Sequence, residues 1–276
     1  MRLLYLLLIY SFIYSTGFSQ EKTEYFTTNL NIQPFTANFL EPKLGFSFKL
    51  NDSDIRLDIG NSRDLILYKY NESTQISFGA DLFTYTKLNG EADFHFPVDA
   101  VDYLFGLNAG FKKTEKDFEY GFRLRISHIS AHFVDGHFDP QLNNWKNNRN
   151  PIVYSREFIE FLPFWRYEGF RIYGGLTYLF HVVPRDIGKM NFQAGFDFFA
   201  LKVFNEKINP FLAYDFKLIK LKNYSGVNSL SAGLKFGNYY SSGFSLSLNY
   251  FSGFSLHGEY FDVYEKYFSL NFNIDL

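Results

Sequence analysis

Apolar and polar residues alternate along most of this chain, most regularly near its C-terminus. From Phe268 to Ile274 every second residue is Phe, Leu or Ile, and the residues between them are Ser or Asn. Segment 244–250 repeats the pattern with Phe, Leu, Leu and Tyr. Because successive side chains of a strand point to opposite faces, this alternation predicts strands with one apolar and one polar face. No amphipathic helix of useful length is indicated.

The alternating segments are long. Less regular alternation continues through 101–112, 117–132, 152–164, 169–182, 190–203, 209–221 and 227–240. These segments span about 10–15 residues, whereas strands of globular proteins usually have about 5–6. In a closed barrel within a bilayer, lipid covers the apolar face and water covers the polar face. We therefore predict an all-β fold, a transmembrane antiparallel up-and-down β-barrel. A periplasmic β-sandwich is the alternative.

Short and long links alternate between these segments. The sequence places long links near 87–100, 133–151, 183–189 and 252–266, and short ones near 113–116, 166–169, 205–208 and 239–242. Outer-membrane barrels have short periplasmic turns and longer extracellular loops, so the C-terminus is expected on the periplasmic side. Nine strands from residue 101 onward fit this alternation. Three earlier strands, near 44–60, 62–70 and 74–86, bring the expected number to about twelve, and Leu44–Gly60 is either one strand or two.

Composition agrees with a barrel and excludes several other classes. The chain has 36 Phe and 21 Tyr against 2 Trp, and Phe and Tyr favour strands. A net charge of −2 gives no electrostatic reason to expect nucleic-acid binding. With no cysteine, disulfides, thiolate metal sites and cysteine nucleophiles are excluded. We expect no cofactor.

The first residues are typical of a cleaved secretory signal peptide, predicted as residues 1–19. Arg2 precedes the apolar run Leu3–Ile13, and the small residues Gly17 and Ser19 come just before the cleavage position. This run is shorter than the roughly 20 residues of a membrane-spanning helix. We expect residues 20–43 to form an N-terminal lead or short plug, and residues 44–276 to form the barrel in the outer membrane of a Gram-negative bacterium.

One face of the predicted strand 117–132 carries two arginines. An arginine on the lipid face at the bilayer midplane would cost about 2–4 kcal/mol, so Arg123 and Arg125 are expected to face the lumen. Arg156 and Glu160 share one parity on the next strand. We therefore predict a lumenal ion network of these four residues.

The opposite parity of the same strand places His128, Ser130 and His132 outward, near the extracellular lipid boundary. On the next strand, Glu157 also has the outward parity. Serine, histidine and a carboxylate can act as nucleophile, base and orienting group. Alternate residues of a strand face are about 6.8 Å apart at Cα, which a leaning Ser–His hydrogen bond can span. Ser130, His128 and Glu157 are thus a candidate catalytic set for hydrolysis of lipid acyl esters.

The motif His128-Ile129-Ser130 resembles the outer-membrane lipid A deacylases, small barrels with a Ser-His-Glu triad that faces lipid. The resemblance implies acyl-ester hydrolysis by Ser130, His128 and Glu157. Ala131 follows the serine, where that family has an asparagine.

A second resemblance runs from about residue 80 to residue 276. The blocks "NGEADFHFPVDAVDYLFGLNAGF", "RISHISAHFVDGH", "YSREFIEFLPFW", "RIYGGLTYLFH" and "YFSGFSLHGEYF" follow, in order, those of a bacterial family, domain of unknown function 1207. That family is similar to outer-membrane barrels. The resemblance implies the fold and the compartment, and it implies no activity.

Two further candidates involve the remaining histidines. His132, Asp135 and His137 lie at the end of a strand and in the following loop, and His and Asp are ordinary ligands of zinc and similar ions. They are a candidate metal site. His181 shares a parity with Arg171 and is therefore expected to face the lumen.

Three functions remain open from the sequence. The first is a structural or lipid-interacting barrel whose partners are outer-membrane lipid and lipopolysaccharide. The second is a lipid A or phospholipid acyl-ester hydrolase. The third is a small-solute pore or uptake barrel lined by the lumenal ion network. Barrel folds host many functions, so the fold alone does not choose among them. Nothing in the sequence indicates the oligomeric state.

Overall fold

The computed structural model describes residues 22–52, 54–201, 207–240 and 242–275, so the predicted signal peptide, residues 1–19, lies outside the described residues. The strands are β1 Lys22–Tyr25, β2 Leu44–Lys49, β3 Ile55–Lys69, β4 Thr74–Leu88, β5 Val98–Thr114, β6 Phe118–Phe133, β7 Phe138–Asp139, β8 Asn144–Trp145, β9 Tyr154–Tyr167, β10 Phe170–Val183, β11 Met190–Phe199, β12 Ile208–Lys220, β13 Tyr224–Phe236, β14 Gly243–Phe254 and β15 Tyr264–Asp275. Short 3₁₀ helices lie in the links at Ala92–Phe94, Asp135–His137, Lys146–Asn148 and Gly258–Tyr260. Among these described residues, no helix has both the length and the apolar character needed to cross a membrane.

Twelve antiparallel strands close into a barrel, which confirms the predicted fold and strand number. Strands β2 to β6 and β9 to β15 pair with their neighbours, and β15 pairs with β2 to complete the ring. The pair β6–β9 spans the long loop 134–153, within which β7 and β8 form a small hairpin. β1 adds to the far end of β3.

The two ends of the barrel differ, and we name them by their links. The turn end carries the links 70–73, 115–117, 168–169, 200–207 and 237–242 and the end of β15. The loop end carries the links 50–54, 89–97, 134–153, 184–189, 221–223 and 255–263, which include the three longest links between barrel strands. β6 therefore runs from the turn end to the loop end, and its histidines lie near the loop end.

The N-terminal strands divide differently from the prediction. β2 ends at Lys49 and β3 continues without a break to Lys69, so no strand boundary lies near residue 61. The actual turn contains Asp52, whose carboxylate accepts a hydrogen bond of 3.2 Å from the Asp54 N–H, as Asx turns do. Gly60 marks a close approach rather than a turn, because a Cβ there would lie 2.5 Å from the Cα of Phe83.

The outer face of the barrel is apolar. Large apolar side chains remain exposed at alternate positions of the strands, and Leu107 on β5 is 66% exposed. Examples from other strands are Phe46, Leu82, Ile126, Phe161, Ile172, Leu212, Leu234, Leu248 and Leu270. An apolar band of this kind around a closed sheet is typical of a barrel that lies in a bilayer.

Residues 27–43, which we call the plug segment, run through the lumen. Phe35 is fully buried, and its ring centroid lies 4.3 Å from that of Tyr173 on the barrel wall. The backbone N–H of Thr36 donates a 3.0 Å hydrogen bond to Asp197. Glu41 forms an ion pair of 2.5 Å with Arg123. The plug segment therefore fills much of the interior with both apolar and charged contacts.

Candidate functional site

Side chains of β6 alternate between the lumen and the outer face up to the end of the strand, where the long loop begins. Arg123, Arg125 and Ser127 are buried in the lumen, while Ile126 is exposed on the outside. His128 continues the outer face, and its side chain is 27% exposed. The predicted inward and outward faces of this strand are thus those of the structure, because no bulge interrupts its pairing with β5 or β9.

The register of β6 against β9 brings His128 opposite Glu157. Glu157 Oε1 lies 2.6 Å from Nδ1 of His128, a distance typical of a charge-assisted hydrogen bond. Ser155 donates a 2.9 Å hydrogen bond to the same carboxylate oxygen. The ring of Phe105 on β5 lies 4.8 Å from the imidazole ring. Two polar contacts and one aromatic contact therefore fix the orientation of His128 and Glu157.

The remaining predicted member, Ser130, lies two residues further along the same outer face. It pairs with Ser155 of β9 and Tyr103 of β5 in the strand register. Within the described ranges, no hydrogen bond joins Ser130 to His128, and none reaches the Nε2 atom of His128. The structure thus unites His128 with Glu157 and leaves Ser130 adjacent. The hydrolytic role of the three residues stays a prediction.

His181 also reaches this site, which the sequence reasoning missed. The expectation that His181 faces the lumen is wrong, because a bulge shifts the register between Leu179 and His181. An extra residue in one strand reverses the parity beyond it. Phe180 and His181 are both exposed, and Nδ1 of His181 contacts Glu157 Oε2. Simple parity counting cannot detect such a bulge.

The lumenal ion network is centred on Glu41 of the plug segment, which the sequence analysis does not predict. Arg123 donates hydrogen bonds of 2.7 Å and 2.5 Å to Glu41 of the plug segment, and it lies 3.2 Å from Glu160. Arg125 pairs with Asp81 at 2.9 Å and lies 3.5 Å from Glu160. Burial acts to raise the pKa of Glu41, but the charges of the two arginines outweigh it and hold that pKa at about 2.

Arg156 is the predicted member that this network does not include. Its guanidinium lies 5.4 Å from the Tyr154 ring, as in a cation–π contact. In the part of the chain that the structure describes, Arg156 forms no ion pair with Glu160. The lumenal network therefore joins Arg123, Arg125 and Glu160 but not Arg156.

The predicted metal ligands are not brought together, which corrects that hypothesis. His137 is buried beneath the loop, with Nδ1 2.8 Å from Asp99 and Nε2 3.0 Å from the carbonyl oxygen of Arg149. Both ring nitrogens are therefore engaged. His132 is exposed on the outer face of β6, and the Asp135 carboxylate accepts a hydrogen bond from the backbone N–H of Gly136. The described residues contain no group of three His, Asp or Glu side chains arranged to hold a metal ion.

Two buried carboxylates of β5 instead fasten the loops over the loop end. Asp99 accepts a 2.6 Å hydrogen bond from the Tyr260 hydroxyl in addition to its contact with His137. Asp102 lies 2.8 Å from Nδ1 of His257 and accepts a 2.7 Å hydrogen bond from the backbone N–H of Gly258. These histidines therefore have structural partners, which sequence spacing did not reveal because the pairs join distant loops.

With its apolar exterior, closed antiparallel sheet and filled lumen, this molecule is a β-barrel of the outer-membrane type. Residues 72–274 match the family described as "Protein of unknown function (DUF1207)", and the chain belongs to this family.

Comparison with a solved outer-membrane barrel gives the same fold. The chain is similar to outer membrane phospholipase A from Escherichia coli, with 10% sequence identity and a TM-score of 0.55, over 88% of this chain and 93% of that chain. It also matches the translocator domain of the autotransporter NalP from Neisseria meningitidis, with 11% identity and a TM-score of 0.37, over 84% of this chain and 85% of that chain. No curated protein matches this sequence.

Proposed function

We propose that this protein is an outer-membrane barrel that hydrolyses acyl esters of membrane lipids at its outer face. The observation that carries the proposal is the 2.6 Å contact between Glu157 and Nδ1 of His128 on an outward, partly exposed surface. It leaves Nε2 of His128 available as a base, with a serine two residues away on the same face. Bases held by a carboxylate in this manner activate serine nucleophiles.

The outer membrane is supported as the compartment by several independent features. The barrel exposes apolar side chains around its circumference, as the hydrocarbon of a bilayer requires. Residues 1–19 have the composition of an export signal. The likeness to a solved outer-membrane barrel adds the fold. In such a setting, the ester of a lipid reaches the site without leaving the membrane.

The proposed reaction has two steps. The Ser130 hydroxyl oxygen attacks the ester carbonyl carbon and passes its proton to Nε2 of His128, while Glu157 accepts the hydrogen bond from Nδ1–H. The carbon–oxygen bond to the lipid alcohol then breaks, and His128 returns the proton to that leaving oxygen. Water hydrolyses the acyl-serine by the same proton relay. Ser130 must swing toward Nε2 when the ester binds, since catalytic hydrogen bonds often tighten only with substrate.

The solved structure that shares the fold is named a phospholipase, which makes lipid hydrolysis compatible with a barrel of this size. At 10% identity the likeness concerns the fold, so the chemistry rests on His128, Ser130 and Glu157 themselves. A pore or uptake role is less favoured, because the plug segment and the arginine pairs of Glu41 occupy the lumen.

A second candidate is a lipid-interacting barrel without chemistry. It is favoured by the lack of a hydrogen bond between Ser130 and His128 in the described structure. One carboxylate oxygen of Glu157 contacts His128 and the other contacts His181, so these three side chains can form a polar rim on the outer face of the barrel. Such a rim would hydrogen-bond phosphates or sugars of lipopolysaccharide.

Lipid hydrolysis by the purified barrel separates the two candidates. We expect the wild-type protein to release fatty acid from mixed micelles of phosphatidylethanolamine or from purified lipopolysaccharide, and Ser130→Ala to release none. The matched control is Ser127→Ala, which removes a hydroxyl from the lumenal face of the same strand. If mass spectrometry finds no lipid deacylated by the wild-type protein in either preparation, the lipid-interacting barrel without chemistry is favoured.

A further inference from the structure

A cavity of about 120 Å³ lies inside the barrel between the plug segment and the wall. Its lining includes Tyr239 in the link after β13 and Asp275 at the end of β15, so it lies at the turn end, away from the outer-face site. A second space of about 30 Å³ adjoins it. Lys43, Asn249 and Asn273 line both spaces, and we call the combined space the lysine cavity.

One side of the lysine cavity is apolar and aromatic. Phe199, Phe211 and Tyr239 form a buried cluster, with ring centroids 5.3 Å apart for Phe199 and Phe211 and 4.6 Å apart for Phe199 and Tyr239. A cavity of about 150 Å³ with an apolar lining can hold benzene. The larger space therefore suits a ligand group of about the size of benzene or slightly smaller.

The other side offers hydrogen-bond donors. Asn249 accepts hydrogen bonds of 2.7 Å from Ser231 and 2.9 Å from Ser247 through its Oδ1 atom. An amide oxygen that accepts two hydroxyl hydrogens leaves the amide N–H groups for another partner. Within the described ranges, no side-chain partner takes those N–H groups, so they remain available to a molecule in the cavity.

Lys43 is the cationic group of this cavity that has no ion-pair partner among the described residues. The other cationic groups that line it are paired, Lys235 with Asp275 at 2.9 Å and Arg56 with Asp58 at 2.6 Å. Among the residues that the structure describes, no carboxylate forms an ion pair with Lys43. Lys43 is half-buried, and an ammonium group without an ion-pair partner can accept an anion that enters the cavity. Burial and repulsion by Arg56 lower the pKa of Lys43, attraction by Asp58, Glu41 and Asp275 partly opposes them, and an anion in the cavity would act in the same direction as these carboxylates.

We infer that the lysine cavity binds a small organic carboxylate, about the size of benzoate. The carboxylate lies against the Lys43 ammonium group and the Asn249 amide, and the ring or short chain packs against Phe199, Phe211 and Tyr239. This binding site is separate from the outer-face cluster and does not depend on lipid hydrolysis.

The test compares benzoate with its neutral counterpart benzamide, by isothermal titration of the full-length mature barrel in an uncharged detergent. The wild-type protein is expected to bind benzoate at least tenfold more tightly than benzamide. In Lys43→Gln, benzoate binding falls at least tenfold, to the level of benzamide. Lys116→Gln, an exposed lysine in a short link at the same end, keeps the wild-type preference.

Three outcomes overturn the inference: no benzoate binding by the wild-type barrel, equal binding of benzoate and benzamide, or unchanged benzoate binding in Lys43→Gln. The wild-type comparison decides by itself if Lys43→Gln does not fold. Asn249→Asp provides a second variant, since a carboxylate beside Lys43 should compete with benzoate and weaken its binding at least tenfold.

Discussion

Glu157 and His128 face each other across neighbouring strands on the outside of the barrel, with Oε1 of the carboxylate 2.6 Å from Nδ1 of the imidazole. Both side chains are about one-quarter exposed. A carboxylate at Nδ1 keeps the imidazole in the tautomer whose Nε2 can accept a proton. This pair is therefore the centre of the proposed hydrolytic site, and Ser130 is the group that it would activate.

Glu157→Gln should reduce fatty-acid release by roughly 10²- to 10⁴-fold, because an amide cannot stabilise the imidazolium that forms during attack. Barrel assembly should be unaffected, since the side chain lies on the outer surface. The measurement is the initial rate of release from phosphatidylethanolamine micelles. As a control, His181→Gln removes the other contact of Glu157 and should lower the rate by less than about tenfold. A Glu157→Gln protein with the wild-type rate would contradict the assignment.

Glu41→Gln should loosen the plug segment. Removing this carboxylate leaves Arg123 and Arg125 with less negative charge in a buried network, a change that costs about 3–5 kcal/mol in comparable cases. We expect a lower melting temperature and a measurable ion conductance in planar bilayers. Glu24→Gln is the control, because its pairs with Lys22 and Lys69 lie at the exposed surface and contribute little to stability. If Glu41→Gln and Glu24→Gln had the same melting temperature and the same ion conductance, the ion pairs of Glu41 would not be what holds the plug segment in the lumen.

The plug segment should also respond to acid in a defined range. The pKa of Glu41 falls from an ordinary value of 4.5 to about 2 in the folded protein, so its carboxylate stabilises the fold at any pH above about 4.5. That contribution, on the order of 3 kcal/mol, is lost as the pH falls from about 4.5 through about 2. Limited proteolysis of residues 27–43 at stepped pH should show protection at pH 6 and cleavage only toward pH 2. Loss of protection already between pH 7 and pH 5 would point to another titrating group.

Phe35→Ala should be among the most destabilising substitutions in the plug segment. The ring is fully buried, packs 4.3 Å from Tyr173, and lies 4.8 Å and 4.5 Å from the guanidinium groups of Arg123 and Arg171. Truncating a buried Phe costs about 3–5 kcal/mol. Urea unfolding in detergent should report a loss of that size. Phe94→Ala, an exposed ring in a loop, should change the free energy of unfolding by less than about 0.5 kcal/mol.

Asp102→Ala should release the loop 255–263 from the loop end. The substitution leaves the Gly258 N–H and His257 without their buried partner, at a cost of about 1–3 kcal/mol. Hydrogen exchange of residues 255–263 should accelerate by more than tenfold, while exchange in β15 stays unchanged. The exposed residue Asp93 offers a control substitution to Ala with no expected effect. An unchanged exchange rate in Asp102→Ala would show that other contacts hold this loop.

The extent of correct prediction differs between the barrel wall and the site. Parity alone predicts that Arg123 and Arg125 face the lumen and that His128 faces outward, and each side chain lies on the predicted face. His181 was misplaced because one bulge reverses the faces beyond it. Glu41 was not recognised as the centre of the ion network, since the plug segment has no periodicity that reveals which wall residues it meets.

The sequence by itself determined the fold class, the approximate number of strands and the face on which most side chains lie. It could do so because the two-residue period of a strand is a local property of the backbone. Only the tertiary structure decided the register that joins His128 to Glu157, the bulge that adds His181, and the wall contacts of the plug segment. Those features depend on pairing between segments that are distant in the chain. Packing and charge contacts between such segments set the free energies of the alternative arrangements, and no local sequence pattern contains that information.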